Sequence, residues 1–369
     1  SGTTSNWITS TTPVVSKVNA KKLIGPGNAL DLAGDDDVVN LTSILDPSAA
    51  DWSFEAWIYP EDFSNNYHVL LSQKNGTGTG ETYLVFDNGK PRISLGTYKI
   101  APNALSTNKW YHVALTYDRS ETKQTLYIDG IKLLELDGAI TAADGILVLG
   151  RNNSGSNYFN GKVDDLRFWS GCRTQTEIQD NMYAGLNGDE ANLIAYYDFN
   201  HDSGTTLEDK TSNGNEGTLK NFSGTYWVSA ASREPFKTVR AGSHGTNSTW
   251  KGGTAPSSSS DKMAVFHDLT LSSTGTYSRL HINSGATITA NADITVSGEV
   301  IINGTANGTN KIIMNGASKQ CLGGSGTLGA LQVNNSNDIS LEGDLTISGA
   351  LTLTSGDIEL NSNDLTLTG

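Results

Sequence analysis

The feature that most constrains this 369-residue chain is a short repeat in its last third. DISL from Asp338, DLTI from Asp344, ALTL from Ala350, DIEL from Asp357 and DLTL from Asp364 begin every six or seven residues. ATIT from Ala286, DITV from Asp293 and EVII from Glu299 take the same step earlier. Each unit carries apolar side chains at its second and fourth positions, Leu345 and Ile347 for example, and alternation along an extended strand puts both on one face. A four-residue strand cannot bury itself, so such units gain stability only by coiling and stacking on the turn before. Three units per coil give about twenty residues per turn and set Leu345 beneath Leu365 and Ile347 beneath Leu367. A two-sided coil of about thirteen residues also fits the spacing; the three-sided coil is preferred. Residues 263–369 then hold about five coils of a parallel β-helix that reads as truncated within its pattern.

The preceding two thirds alternate differently. SFEAWIY, YHVLLSQ, TYLVFD, WYHVALTYD, TLYIDGIKLLEL, VDDLRFW and LIAYYDF are apolar at every second residue and are separated by Gly, Asn, Asp and Ser clusters. This is the pattern of a sandwich or barrel in which each strand buries one face. Asp129-Gly130 between TLYI and IKLLEL suits the two positive φ angles of a type I′ turn, so these runs pair. Thr174 and Glu177 fit a capping box, which opens a short helix that Gly185 stops. Residues 233–262, rich in Gly, Ser and Thr, read as a linker and cap with Trp250 as anchor, and residues 1–22 read as a leader or linker.

Composition narrows the partners. Forty glycines and only 17% charged residues suit an all-β chain, and its length exceeds what one core usually holds, so two domains are expected. A net charge of −14 repels phosphate backbones and anionic lipid, which argues against nucleic acid as a partner. No apolar stretch approaches the length that crosses a bilayer, which argues against membrane insertion. The opening Ser1-Gly2 looks like a processing scar, so the chain reads as an excerpt. Cys172 and Cys321 fall in different domains, as two buried thiols or, with an interdomain contact, a disulfide.

Six segments in order, ALDLAGDDDVV (29–39), SFEAWIYP (53–60), KWYHVALTYD (109–118), LYIDG (126–130), FNGKVDDLRFW (159–169) and LIAYYDFN (193–200), resemble the laminin G-like group of concanavalin A-like lectin domains. The resemblance covers roughly residues 23–232 and implies a jelly-roll β-sandwich of two curved antiparallel sheets. The run DFNHDSGTTLEDKTSNGNEGTL opens many members but follows the other motifs here, which implies a permuted or alternative closing strand. The repeats resemble parallel β-helix stretches of secreted and surface-attached bacterial proteins. The expected fold is therefore all-β, a sandwich followed by a C-terminal parallel β-helix solenoid.

Two sites follow. Asp35-Asp36-Asp37 with flexible Gly34, and Asp164-Asp165 opening a late strand, are two acidic segments that could form an oxygen cage for calcium. The resemblance strengthens this, because the late-strand aspartate matching Asp164 often holds a structural calcium. The expected ligands are Gly34, Asp37, Asp164 and Asp165; the alternative is a solvated turn with strand-end carboxylates paired to Arg167 or Lys162. For sugar, aromatic faces and amides on polar loops are needed. Tyr158 with Asn153 and Asn157 is the first candidate, and Tyr67 and Tyr98 are further ones; an ordinary surface loop is the alternative.

No catalytic constellation is complete. Glu135 and Asp137 alternate as glucanase carboxylates do, but Ala139 stands where the third acid belongs. The histidines lack metal spacing, His112 reads as a packed strand residue, and no nucleophile elbow occurs. The expectation is a non-catalytic, calcium-stabilised module for carbohydrate recognition or adhesion, outside the cell or on its surface. The alternatives are a protein-binding adhesin module with a solenoid spacer, and an accessory domain of a polysaccharide-degrading enzyme.

Overall fold

A computed structural model describes residues 22–369 except 24–26, 43, 45, 47, 74–80, 141–144, 153, 231–234 and 260. The expected leader lies almost wholly outside the described residues.

The alternating runs form two antiparallel sheets. The first runs in the order Ile131–Asp137, Lys123–Ile128, Tyr111–Asp118, Trp52–Pro60, Asn160–Trp169, Asn28–Ala33 and Trp227–Ser229, with Leu193–Tyr197 also paired to Asn160–Trp169. The second runs Thr206–Leu207, Gly217–Lys220, Val38–Asn40, Leu147–Leu149, Tyr67–Gln73, Glu81–Asp87, Lys90–Leu95 and Thr97–Ile100. Their inward residues, among them Leu30, Phe54, Leu71, Phe86, Ile93, Leu115 and Phe168, fill one core. The late run closes the second sheet, with Thr206–Leu207 paired to Gly217–Lys220 and the latter to Val38–Asn40, and the segment after it closes the first, where Trp227–Ser229 pairs with Asn28–Ala33.

The turn and the capping box are as expected, whereas Gly185 does not stop the helix and lies in the strand Ala184–Gly185. Asp129 and Gly130 take φ of 53° and 78° and join Ile128 to Ile131, as a type I′ turn requires. Thr174 and Glu177 form the full capping box of the helix Gln175–Asn181, which ends at Met182, before Gly185.

The repeats stack as a three-sided parallel solenoid of about six turns. Leu345 pairs with Leu365 and Ile347 with Leu367, as the twenty-residue turn demands. Leu280, Ile302, Leu322, Leu341 and Ile347 belong to its dry interior. At one corner Gly324 has φ 108°, and a Cβ there would lie 2.1 Å from the Ile302 carbonyl oxygen of the previous coil, so only glycine lets the coils close up. The segment read as linker and cap is instead the first coil. Phe236–Lys237 pairs in parallel with Met263–Ala264, and Gly242–Ser243 with Leu269–Thr270. It escaped notice because this coil takes 27 residues, against 17 to 22 later, and few of them are aliphatic. Trp250 does anchor it: the indole is buried and its Nε1 donates to the His244 carbonyl at 2.7 Å.

The solenoid packs on the outer face of the first sheet. Trp57, Trp110, Met182 and Tyr183 from the sandwich side meet Ala264 and Ile301 from the solenoid. Trp57 and Trp110 thus fill the interdomain contact and not the sandwich core. Buried Arg279 reaches across, with Nη2 2.9 Å from Asp129, and Nη1 donates to the Tyr183 hydroxyl at 2.9 Å. Lys237 Nζ donates to the Tyr183 carbonyl at 2.9 Å, and Asn283 Nδ2 to that of Asp180 at 2.8 Å. With the helix Gln175–Asn181 also on this side, the first sheet has little outer face left for a ligand.

Candidate functional site

The outer face of the second sheet is open instead. Directly opposed residues of an antiparallel pair share a face. The register sets Tyr67 opposite Asp87, Val69 opposite Val85, Val85 opposite Arg92, and Ser94 opposite Tyr98. All of these therefore point away from the core, while Leu84, Phe86, Ile93 and Leu95 point into it. Tyr67 and Tyr98 are 40% and 60% exposed.

The loop 150–159 forms a wall beside this face. Val69 N–H donates to the Asn157 carbonyl at 2.9 Å, and His68 Nδ1 lies 2.9 Å from the Tyr158 carbonyl. Asn152 ties the loop to itself: its Oδ1 accepts from Ser154 Oγ and from Ser156 N–H, both at 2.9 Å. Asn157 takes φ 57°, which an asparagine tolerates and which turns its amide outward, where it is exposed.

Two adjoining pockets result, with Tyr67 and Asn157 lining both. The larger, about 430 Å³, is otherwise polar: Gly34, Ser64, Asn65, Asn66 and Tyr158. The smaller, about 210 Å³, has a floor of Val69 and Val85 and walls of Arg92, Ser94 and Asn152. The Arg92 guanidinium carbon stands 4.0 Å from the Tyr98 ring centroid and 5.7 Å from that of Tyr67, so the cation ties the two rings together.

Of the expected sugar ligands, the structure brings Tyr67, Asn157 and Tyr158 into the pocket linings, while Tyr98 lies outside them and is joined to the smaller pocket through Arg92. Tyr158 is folded back, with its hydroxyl donating to the Gly155 carbonyl at 3.1 Å, so it presents an edge of ring instead of a free hydroxyl. Asn153 lies outside the described residues. Arg92, Asn65 and Asn66 were missed. Arg92 was accessible to the alternation argument, since it stands one residue from inward Ile93 in the run PRISL.

The expected metal ligands are not brought together. Asn160 pairs with Ala33 and Val163 with Leu30, so Asp164 falls beside Ala29, four residues or ~13 Å along the strand from the end that bears Gly34. A bulge between Asp164 and Arg167, with Asp165 at φ 56°, turns Asp165 onto Arg167. Its two oxygens accept from Arg167 Nε at 3.0 Å and Nη2 at 2.7 Å, the pairing of the alternative reading. Lys162 pairs with Glu61 instead. Asp37 stays with its own turn: the carboxylate accepts from Ala33 N–H at 3.1 Å. Carboxylate oxygens of Asp35, Asp36 and Asp37 all lie within 4.8 Å of one another. Burial pushes the Asp37 carboxyl up against the Ala33 hydrogen bond, and Asp35 and Asp36 add repulsion. Converging oxygens of this kind fit a hard cation, whereas the Asp164-Asp165 pair does not.

The remaining charged clusters are closed. Glu55 is fully buried, 2.8 Å from Arg173 Nε and 3.4 Å from His112 Nε2. Burial would raise its carboxyl, but Arg173, His112 and Arg167 outweigh that and hold it at about 2. Glu135 and Asp137 lie on the edge strand Ile131–Asp137, where Glu135 pairs with Lys132. Cys172 and Cys321 are free thiols; burial pushes both up, Cys321 to about 12. Among the described residues no helix is long and apolar enough to cross a membrane, which says nothing of β-barrels.

Residues 33–179 match a laminin G-type family model described as the concanavalin A-like lectin/glucanases superfamily. No curated protein matches. A solved Bacteroides ovatus protein, provisionally named as carbohydrate binding, is 22% identical over 55% of this chain and 61% of its own, with a TM-score of 0.46. The CBM40 domain of a Ruminococcus gnavus sialidase, bound to α2,3-sialyllactose, is 17% identical over 42% of this chain and 96% of its own, with a TM-score of 0.34. Domain 4 of a Geobacillus stearothermophilus arabinanase, in complex with arabinotriose, is 19% identical over 41% and 75%, with a TM-score of 0.32.

Proposed function

We propose, from the concanavalin A-like sandwich with its open second sheet, that this chain is a carbohydrate-binding module. The observation that carries the proposal is the pair of adjoining pockets, where exposed Tyr67 stands beside the amides of Asn65, Asn66 and Asn157, and exposed Tyr98 flanks the smaller pocket by stacking on Arg92. Aromatic faces suit the C–H surface of a sugar ring, and amides suit its hydroxyls. The superfamily named by the match to residues 33–179 points the same way. On this reading the module binds without cutting: the buried carboxylates of Glu55 and Asp165 are paired to arginines. On this reading its work lies outside the cell or on its surface. The solenoid serves as a mount that fixes the direction in which the pockets face.

Calcium enters the proposal only at the turn Asp35–Asp37, whose oxygens would hold it and so fix the entrance beside Gly34.

The test is retardation of the protein in gels cast with a panel of polysaccharides. At least one should retard the wild type, and Tyr67→Ala or Tyr98→Ala should remove most of that retardation with the melting midpoint unchanged. Equal retardation of both variants would refute the site.

A further inference from the structure

We infer that the smaller pocket takes an acidic sugar, a glycan unit bearing a carboxylate, with Arg92 as its anchor; the inference rests on the carbohydrate reading above. The argument starts from how this chain uses its arginines. Arg167 and Arg279 are buried and committed to carboxylates of the protein at 2.7 to 2.9 Å. Arg173 is committed to Glu55 at 2.8 Å. Arg92 is not. Its nearest carboxylate, Asp87, stands 3.9 Å from Nη1, beyond hydrogen-bonding length. Its side chain is 22% exposed and lines the pocket.

A guanidinium offers parallel N–H donors in a flat fork that matches the two oxygens of a carboxylate. Stacking on Tyr98 at 4.0 Å fixes the plane of that fork before any ligand arrives, so little side-chain freedom is lost on binding. Val69 and Val85 beneath it provide an apolar floor for the ring that carries the carboxylate. The volume, about 210 Å³, is about seven times a water's ~30 Å³ share of the liquid, which suits one sugar unit. The larger pocket, with its amides, then takes the neighbouring unit through hydroxyls.

The net charge of −14 sharpens the inference. The whole-molecule field opposes a polyanion, so attraction to an acidic glycan must come from local contact and not from steering. Binding should therefore strengthen slightly, or hold steady, as salt rises to about 0.15 M.

The experiment is calorimetry of the full chain with polygalacturonate, alginate and hyaluronan, with fully methyl-esterified polygalacturonate, with a sulfated galactan and with a neutral β-glucan. The expected result is binding to a uronate polymer. Arg92→Lys should weaken it about tenfold and Arg92→Ala about a hundredfold, since a charged hydrogen-bonded pair is lost. Where polygalacturonate binds, its methyl ester should not. Unchanged melting midpoints show that the variants are folded. Binding of a neutral glycan that depends on Tyr67 and Tyr98 but is indifferent to Arg92→Ala would overturn the acidic assignment and leave the carbohydrate reading standing. Preference for the sulfated galactan over every uronate would overturn the carboxylate assignment. Failure of any polysaccharide to bind would overturn both readings.

Discussion

Replacing Arg279 by methionine tests how firmly the sandwich and the solenoid are joined. The side chain is 5% exposed and makes three charged or polar contacts: Asp129 at 2.9 Å, Glu299 at 2.8 Å and the Tyr183 hydroxyl at 2.9 Å. Methionine fills most of the space and removes the cation. Breaking a buried pair by removing one partner costs about 3–5 kcal/mol, because the other charge stays behind. Two features place this case at the low end. Asp129 keeps the hydrogen bond from His112 N–H at 2.8 Å, and Glu299, 33% exposed, can rehydrate. We therefore expect Arg279→Met to cost about 3 kcal/mol, or about 1 M in the urea midpoint at a slope near 3 kcal/mol/M. Tryptophan fluorescence is a suitable readout, since Trp57 and Trp110 lie in the interdomain contact. Asp129→Asn supplies the second arm of a double-mutant cycle, because asparagine accepts the positive φ of the turn. In the Arg279→Met background it should recover about 1–2 kcal/mol, since it removes the stranded charge. A midpoint within about 0.2 M of wild type, equivalent to about 0.6 kcal/mol at that slope, or strictly additive single and double mutants, would refute the reasoning.

Two further outcomes follow from groups already described. Glu55 is held at about 2 in the folded protein, below its ordinary 4.5, so its contribution is complete above about pH 4.5 and is lost as the pH falls toward 2. Glu299, held at about 2 chiefly by Arg279, acts in the same direction and window. Stability from urea melts should thus drop between pH 4.5 and 2, by up to about 3 kcal/mol for Glu55, and a flat profile there would contradict the buried pairing. If the Asp35–Asp37 turn holds calcium, chelator should lower the melting midpoint of calcium-loaded protein, and Asp37→Asn should remove that difference. An identical midpoint with and without chelator would remove calcium from the proposal.

The readable parts of the sequence were those governed by near neighbours in the chain. Period-two alternation put Phe54, Leu84 and Ile93 inside because successive side chains of any strand point to opposite faces. The turn at Asp129-Gly130 and the cap at Thr174 depend on residues at most three apart. The stacking of Leu345 on Leu365 was legible for a related reason: a repeat carries its own long-range register, since each coil templates the next. The first coil was not legible because its longer path and its Gly and Ser content hide that register.

The site divides along the same line. Tyr67, Tyr98, Asn157 and Tyr158 could be named as candidates on polar loops, but Tyr67 and Tyr98 stand on strands, and nothing local said that these two share one face or that Arg92 stands between their rings. The aspartates show the converse. Asp37 and Asp164 looked like partners by type, and strand register set them apart, while one bulge gave Asp165 to Arg167. Which residues are buried was thus written in the chain's own periodicity, because burial in a strand is a property of parity. Which groups meet was decided by pairings between segments far apart in sequence, where a shift of one residue reverses every face.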